Sequence, residues 1–388
     1  MSGRRRALAS GVGVLLTLAA CEPAPPVVAA PGAPLPALEE AERGRFLLGR
    51  AVFERLATEE EGLGPLFNEA RCSGCHDQPA IGGGGLILVR KATRWEEGTC
   101  DLLRAHGGDN LQARASAALQ AAGLGPDRLP AEASDSGFAL PPPLWGLGLL
   151  ERVPEAVLRA HEDPEDRDGD GVSGRLGRTE DGRVGRFGGK ADVATVRDFV
   201  ESALRFELGF TTPDHLEEEG PNGQPLPPGI DPMPDPEIDA AGITRLVDFI
   251  QWLAPPEPLP LAAETESRGR QVFAAVGCTS CHLPELTTAR DGPPWSRGVR
   301  LEPWTDLLLH DLGEPLRSVC GPGASPVEHR TPPLWGLGRR ERFLHDGRAG
   351  TVDEAVRQHG GEAERVRDAY EALPEAERAT LLEWLAAR

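Results

Sequence analysis

The residues whose types and spacing promise chemistry are Cys72-Ser73-Gly74-Cys75-His76 and, far downstream, Cys278-Thr279-Ser280-Cys281-His282. Cys-x-x-Cys-His is the attachment pattern of c-type haem. The two thiols add to the haem vinyl groups, and a two-residue spacer lets one backbone turn carry both thioethers. The His that follows then supplies the proximal ligand of the iron. A single copy could equally be a thiol redox motif or half a zinc site beside a chance His. Two copies, each behind a similar helix in a chain with an export signal, select haem. The pattern therefore predicts two covalently bound c-type haems, held by Cys72, Cys75 and His76 and by Cys278, Cys281 and His282.

Each iron has a second axial position, and its occupant separates an electron carrier from an enzyme. Methionine is the usual choice in simple electron carriers, yet the chain has only Met1 and Met233. Met233 lies in the Pro-rich run Asp231-Pro232-Met233-Pro234 and reads as a gap filler. For the second haem the expected ligand is His359, at the end of a helical pattern from Thr351 and ahead of Gly360-Gly361; His345 and His310 compete with it. For the first haem the choice stays open between His161, which the internal repeat places parallel to His359, His106 beside Gly107-Gly108, and an unligated face. Separately, Asp166, Asp168 and Asp170 have the D-x-D-x-D-G spacing that lets alternate carboxylates converge on calcium. Gly177 stands where an EF-hand has its bidentate Glu, so a solvated acidic turn is the competing reading.

These residues need elements to hold them, and an internal repeat supplies the layout. Helical patterns lead into each haem motif, at Arg43-Gly44-Arg45-Phe46 through Leu56 and at Ser267 through Phe273. Pro142-Pro143-Leu144-Trp145-Gly146-Leu147-Gly148 recurs unchanged as Pro332 through Gly338. Each half closes on a helix with a similar ending, Phe249-Ile250-Gln251-Trp252-Leu253-Ala254 and Leu381-Leu382-Glu383-Trp384-Leu385-Ala386. The fold class expected is mainly α: two tandem cytochrome c-like domains with Gly/Pro-rich loops and few strands, over 39–257 and 258–388. The first carries an acidic insertion at 163–185. A further helix is expected over 192–208, with Val193, Val196, Val200, Ala203 and Leu204 facing the core.

Residues 1–21 read as a targeting segment. Arg4, Arg5 and Arg6 precede a short apolar core, and Leu18-Ala19-Ala20-Cys21 resembles a lipobox, with Cys21 as the lipidated residue. The alternative is an ordinary signal peptide cut near Ala29-Ala30. Residues 22–38, rich in Pro and Ala, read as a tether. The expected location is the periplasm or cell envelope, touching the membrane only through the lipid. A formal charge of −20 argues against nucleic acid. It suits either simple solubility or docking to a basic electron-transfer partner, a small cytochrome or cupredoxin. Of the seven cysteines, Cys100 and Cys320 remain after lipid and haem are assigned, as a disulfide between the halves or as two buried thiols.

Further runs carry a family resemblance. They are Gly62-Leu63-Gly64-Pro65-Leu66-Phe67-Asn68, Gln78 through Gly83, Gly146 through Glu151, Asp168 through Arg175 and Gly185-Arg186-Phe187. Thr305-Asp306-Leu307-Leu308-Leu309-His310-Asp311 and Trp335-Gly336-Leu337-Gly338 through His359-Gly360-Gly361-Glu362-Ala363 continue the series. Together, across nearly all of the chain beyond the leader, they resemble the bacterial di-haem oxidoreductases called thiol oxidoreductases. That family is similar to the di-haem cytochrome c peroxidases and MauG-type enzymes. The resemblance implies that the C-terminal haem accepts or stores electrons while the N-terminal haem meets peroxide. Thr351–His359 looks like the peroxidase segment that ends in a Met ligand; with His the potential should be lower. Peroxidases also carry a His shortly after the first haem motif, and residues 77–95 have none. Gly189 stands where the family often has Trp.

The expectation is a di-haem c-type oxidoreductase acting on a small oxidant such as hydrogen peroxide. An electron-relay cytochrome without substrate is the alternative, and a thiol-oxidising enzyme a weaker one. No catalytic side chain is assigned: Glu151 and Glu341 occupy equivalent places in the repeat, which favours a structural role for both.

Overall fold

The computed structural model describes residues 27–388; the leader and Cys21 lie outside them. Helices dominate, and the described residues also form short strands. None of the described helices is long and apolar enough to cross a membrane.

Each half is built on a crossing of its leading and closing helices. In the first, Glu40–Glu54 packs on Ala240–Gln251, with the Phe249 ring 5.0 Å from Phe46 and 4.8 Å from Phe53. In the second, Ala263–Val276 packs on Glu375–Leu385, with Phe273 and Trp384 5.0 Å apart. The helices come this close because a glycine sits at each crossing. A Cβ at Gly49 would meet the Arg245 carbonyl and Phe249, and one at Gly269 would meet Trp384. The equivalent runs are thus Gly49-Arg50-Ala51-Val52-Phe53 and Gly269-Arg270-Gln271-Val272-Phe273, one to two helical turns beyond Arg43-Gly44-Arg45-Phe46. At the closing helices, Trp384 takes the place of Phe249 rather than of Trp252, whose indole instead lies under the Arg45 guanidinium at 4.6 Å. Shape at the crossing, not the recurring Trp-Leu-Ala, sets the alignment.

The two Trp-Gly-Leu-Gly turns meet each other. Gly146 and Gly336 both have positive φ, +72° and +66°. An added Cβ on either would enter the indole of the opposite turn, Trp335 or Trp145. The repeat is therefore a contact between the halves as well as a feature within each. The larger hydrophobic cluster draws on both sides of the Pro255–Pro260 join: Leu286, Trp295, Val299, Leu301, Leu307 and Leu308 pack with Phe46, Phe249 and Leu253. A smaller cluster around Phe273, Trp304 and Trp384 belongs to the second half.

Three expectations change. Residues 27–38 do not extend as a tether. Leu35 and Leu38 are buried, Leu35 N–H donates to the Trp252 carbonyl at 2.8 Å, and Ala254 N–H donates to Ala33 at 3.1 Å. Apolar side chains outweigh the Pro-rich composition there. The helix expected from Asp192 begins at Val196, where Thr195 forms a capping box with Asp198, and a wider π turn over Leu204–Leu208 follows. Val196, Val200 and Leu204 are buried as expected, but Val193 lies outside the helix and Ala203 is only half-buried. Lastly, an antiparallel four-stranded sheet, absent from the sequence reading, is centred on Val89–Glu96, which pairs with Asp135–Ala139 in the register Val89↔Ala139 through Thr93↔Asp135. A disulfide from Cys100, on its edge strand, to Cys320, with Cα atoms 5.8 Å apart, ties this sheet to the second half.

Candidate haem-binding cavity

Both Cys-x-x-Cys-His motifs open into one continuous cavity of about 990 Å³. In each half the leading helix delivers a Phe to the motif's His: Phe53 lies 6.4 Å from His76 and Phe273 lies 6.2 Å from His282, ring centre to ring centre. The ring orientation is then set by the backbone. His76 Nδ1–H donates to the Gly83 carbonyl at 3.1 Å, and His282 Nδ1–H to the Trp304 carbonyl at 2.9 Å. Fixing the proton on Nδ1 leaves Nε2 with a free lone pair, the tautomer a metal-binding His requires. Burial pushes both rings down to about 4, so they stay neutral at ordinary pH.

His359 repeats that arrangement. Its Nδ1 meets the Ala355 carbonyl one turn back in Val352–Arg357 at 2.7 Å, burial lowers its pKa, and its ring lines the cavity close enough to His282 to lower that ring further. The helix forms because Thr351 caps Glu354 N–H and ends on a turn that presents His359. The two competitors are occupied otherwise. His310 has carboxylates at both ring nitrogens. His345 stacks on His329 at 4.3 Å, and its carbonyl accepts from Leu140 N–H in the first half.

Of the nine histidines, all but His106 and His161 line the cavity. Those are the two singled out for the first iron, and the structure sets both aside. His161 is exposed beside the acidic loop, and His106 points to Glu132 at 3.7 Å. The repeat misleads because Glu155–Arg159 ends against the insertion rather than over the motif. His215, unremarked in the sequence, lines the cavity from an exposed loop beside Arg205.

In the first half the wall carries polar groups. Glu207, on the π turn, accepts from Asn110 Nδ2 at 2.7 Å and Asn68 Nδ2 at 2.9 Å, and Lys91 pairs with Asp109 at 2.8 Å. Burial raises the Glu207 pKa despite the two amides. Its Asn68 partner belongs to the Gly62–Asn68 run, but Glu207 itself has no motif; only the burial pattern at its helix end could have flagged it. Glu151 accepts the Val196 N–H at 2.6 Å, which makes it part of the helix start. Asp166, Asp168 and Asp170 do converge, each offering a carboxylate oxygen within 4.8 Å of the others. Some of these oxygens also take the loop's own amides, at Gly171, Asp170 and Val172.

The donor set fits a haem. Cys72, Cys75, Cys278 and Cys281 are free thiols, and the walls between them are largely apolar. Two adjacent guanidiniums also line the cavity without a hydrogen-bonded carboxylate. Arg330 donates to the Gly188 and Thr331 carbonyls, Arg340 to those of Pro333 and Trp335, and Arg340 Nε is buried with no partner. Burial pulls both down to about 10. Buried cations in this state call for an anion, which haem propionates supply.

The family described as "Di-haem oxidoreductase, putative peroxidase" matches residues 127–387. The chain belongs to this di-haem oxidoreductase family. No curated protein matches. Solved structures similar to it include hydrazine synthase of Kuenenia stuttgartiensis, at 13% identity over 100% of both chains with a TM-score of 0.40. A MauG-like protein associated with microbial copper homeostasis shares 13% over 94% of this chain and 93% of that one, TM-score 0.39. The diheme peroxidase BthA from Burkholderia thailandensis shares 16% over 94% and 95%, TM-score 0.36.

Proposed function

We propose that the chain is an extracytoplasmic di-haem c-type oxidoreductase that reduces a small oxidant, hydrogen peroxide first among them. Two tandem cytochrome c-like domains, 39–257 and 258–388, each hold one haem covalently, through Cys72 and Cys75 with His76 as ligand and through Cys278 and Cys281 with His282. His359 is the second ligand of the C-terminal haem, which receives and stores electrons. On the N-terminal side His76 would hold haem without a partner of the His359 kind, which would leave room for peroxide. The observation that carries this reading is the shared geometry of His76, His282 and His359, each with Nδ1 at a backbone carbonyl and each facing the cavity. Three such rings for two haems leave one iron a ligand short.

Bound haem supplies the redox chemistry; the chain supplies the surroundings. Glu207 is placed to accept and return a proton at its carboxylate, held in orientation by Asn68 and Asn110. Arg330 and Arg340 neutralise propionates. The four motif thiols do not suit thiol exchange, since burial pushes Cys72, Cys75 and Cys278 up to about 12 and leaves almost no thiolate. The Cys100–Cys320 disulfide supports an oxidising compartment, in keeping with lipidation at Cys21 and a cytochrome or cupredoxin partner. A calcium ion at Asp166, Asp168 and Asp170 belongs to the same proposal, supported by the convergence of their oxygens.

The test is the electron paramagnetic resonance spectrum of the oxidised, haem-loaded protein with and without azide. One low-spin signal indifferent to azide and one high-spin signal converted by it are expected. Two low-spin signals that ignore azide would make the protein a relay, with His215, the cavity-lining His of the first half's outer loop, as the ligand to mutate.

A further inference from the structure

Asp306, His310 and Glu362 form a buried bridge that the haem-ligand assignment does not use. Asp306 is 2% and His310 3% exposed. His310 Nε2 lies 2.8 Å from Asp306 Oδ2, and Nδ1 lies 3.0 Å from Glu362 Oε2. Ionised carboxylates only accept hydrogen bonds, so both ring nitrogens must donate and the ring is an imidazolium. Burial alone would depress such a ring, but the bonds to Asp306, Cys281 and Glu362 hold it up at about 12.

The two ends of the bridge lie on two different ligand segments. On the Asp306 side, the loop Trp304–Asp306 cradles the second haem motif. The Trp304 carbonyl orients His282, Thr305 N–H donates to Leu283 at 3.1 Å, and Asp306 N–H donates to the Cys281 carbonyl at 3.1 Å. His310 Nδ1 also sits 3.7 Å from Cys281 Sγ. On the other side, Glu362 follows His359 across Gly360-Gly361, two glycines that leave the His359 segment little stiffness of its own. Glu362 is gripped in turn from the first half, by Ser173 N–H at 3.1 Å and Ser173 Oγ at 2.6 Å.

We propose that His310 is a positioning residue for the C-terminal haem: by joining the segment of His282 to that of His359, it keeps His359 on the iron. This rests on the reading of His359 as the second ligand. Without the bridge, the His359 segment would rest on its short helix, on the Arg367 guanidinium that donates to the His359 carbonyl at 3.2 Å and on the glycine pair, with no tie left to the segment of His282. The Ser173 grip places the same segment under the influence of the first half.

The experiment uses the full, haem-loaded chain and reads carbon monoxide uptake by the reduced protein, together with the paramagnetic resonance of the oxidised one. The wild type is expected to bind carbon monoxide at one haem and to show one low-spin, two-histidine signal. His310→Gln, whose two N–H donors sit on one amide nitrogen while its other amide atom only accepts, cannot reproduce donors toward both carboxylates and should bind carbon monoxide at both haems and lose much of that signal. Glu362→Gln should do the same, and the double variant should go no further, because both cut one connection. Should His310→Gln fail to take up haem, Glu362→Gln at the outer end of the bridge carries the test. Variants that load two haems and keep wild-type uptake and spectra overturn the bridge. A wild type that already lacks the two-histidine signal refutes the ligand reading beneath it.

Discussion

The two halves share a frame and differ in what faces the cavity. Both cross a leading and a closing helix at a glycine, both send a Phe to the motif's His, and both fix that His through Nδ1. Beyond the frame they part. The second half adds His359 on a capped helix, with its segment anchored by His310 and Glu362. The first half instead brings Glu207 and Asn110 to the wall, with Asn68 bonded to Glu207 behind them, and both histidines that sequence offered it face elsewhere. Duplication sets the shared frame around each Cys-x-x-Cys-His motif; in the proposed reading, the loop and helix ends that follow would decide whether a haem there is closed for electron storage or open for chemistry.

The largest effect expected separates the mounts themselves. Cys72→Ala with Cys75→Ala, and separately Cys278→Ala with Cys281→Ala, should each halve the covalent haem content measured after acid-acetone extraction. Only the first pair should abolish the high-spin signal; loss of the same signal from both pairs would refute the division of roles. Next in size, Glu207→Gln should slow peroxide turnover by about 10²-fold, the usual scale for a lost general acid or base, while the C-terminal haem spectrum stays as in the wild type. Unchanged turnover would leave Glu207 a structural partner of the two amides.

A third variant pair tests the contact between halves. Gly146→Ala and Gly336→Ala each push a methyl into the opposite indole at a positive φ. Each should destabilise by about 2–4 kcal/mol, and by similar amounts if the turns are equivalent. Denaturant melts read this directly; a large effect from one and none from the other would break the pseudo-symmetry.

Much of this was legible in the chain. The two Cys-x-x-Cys-His motifs and the Pro-Pro-Leu-Trp-Gly-Leu-Gly repeat are plain from residue type and spacing, and so is the place of His359 at a helix end that faces the cavity. What could not be read depends on long-range packing. Trp384 stands for Phe249 because only shape at a helix crossing pairs them, and text similarity to Trp252 points three residues away. His161 looked equivalent to His359 until the insertion turned it outward. Residues 27–38 looked like a tether because composition does not show that Leu35 finds the Trp252 carbonyl. The central sheet strand alternates weakly, with charges at Arg90, Lys91 and Arg94, so no period marked it. Glu207 became visible only when Asn68 and Asn110, far apart in sequence, met on it.

The smallest effect concerns pH, and it should have opposite signs in the two halves. In the first half Glu218, Glu237, Asp231 and Asp235 bring carboxylate oxygens within 4.8 Å of one another. Burial, then mutual repulsion, pushes Glu218 up to about 9; burial pushes Glu237 up to about 7. The native state therefore holds protons that the unfolded chain releases near the ordinary carboxylate value, and stability falls as pH rises from there to about 9. In the second half Glu328 and Glu362 are depressed against burial, by Arg175 and by His310. Their stabilisation is present above the ordinary value and is lost as pH falls through the depressed one. Hydrogen exchange, corrected for intrinsic rate, should thus loosen 211–238 first on the alkaline side and 305–330 first on the acid side. Glu218→Gln should remove the larger part of the alkaline loss and leave the smaller part due to Glu237, raising the melting temperature at pH 9 by about 2–4 °C while leaving the acid limb in place. An unchanged alkaline limb would mean that Glu218 does not hold a proton in the folded chain, and the contrast in charge between the halves would then reduce to the arginine and histidine partners of the second.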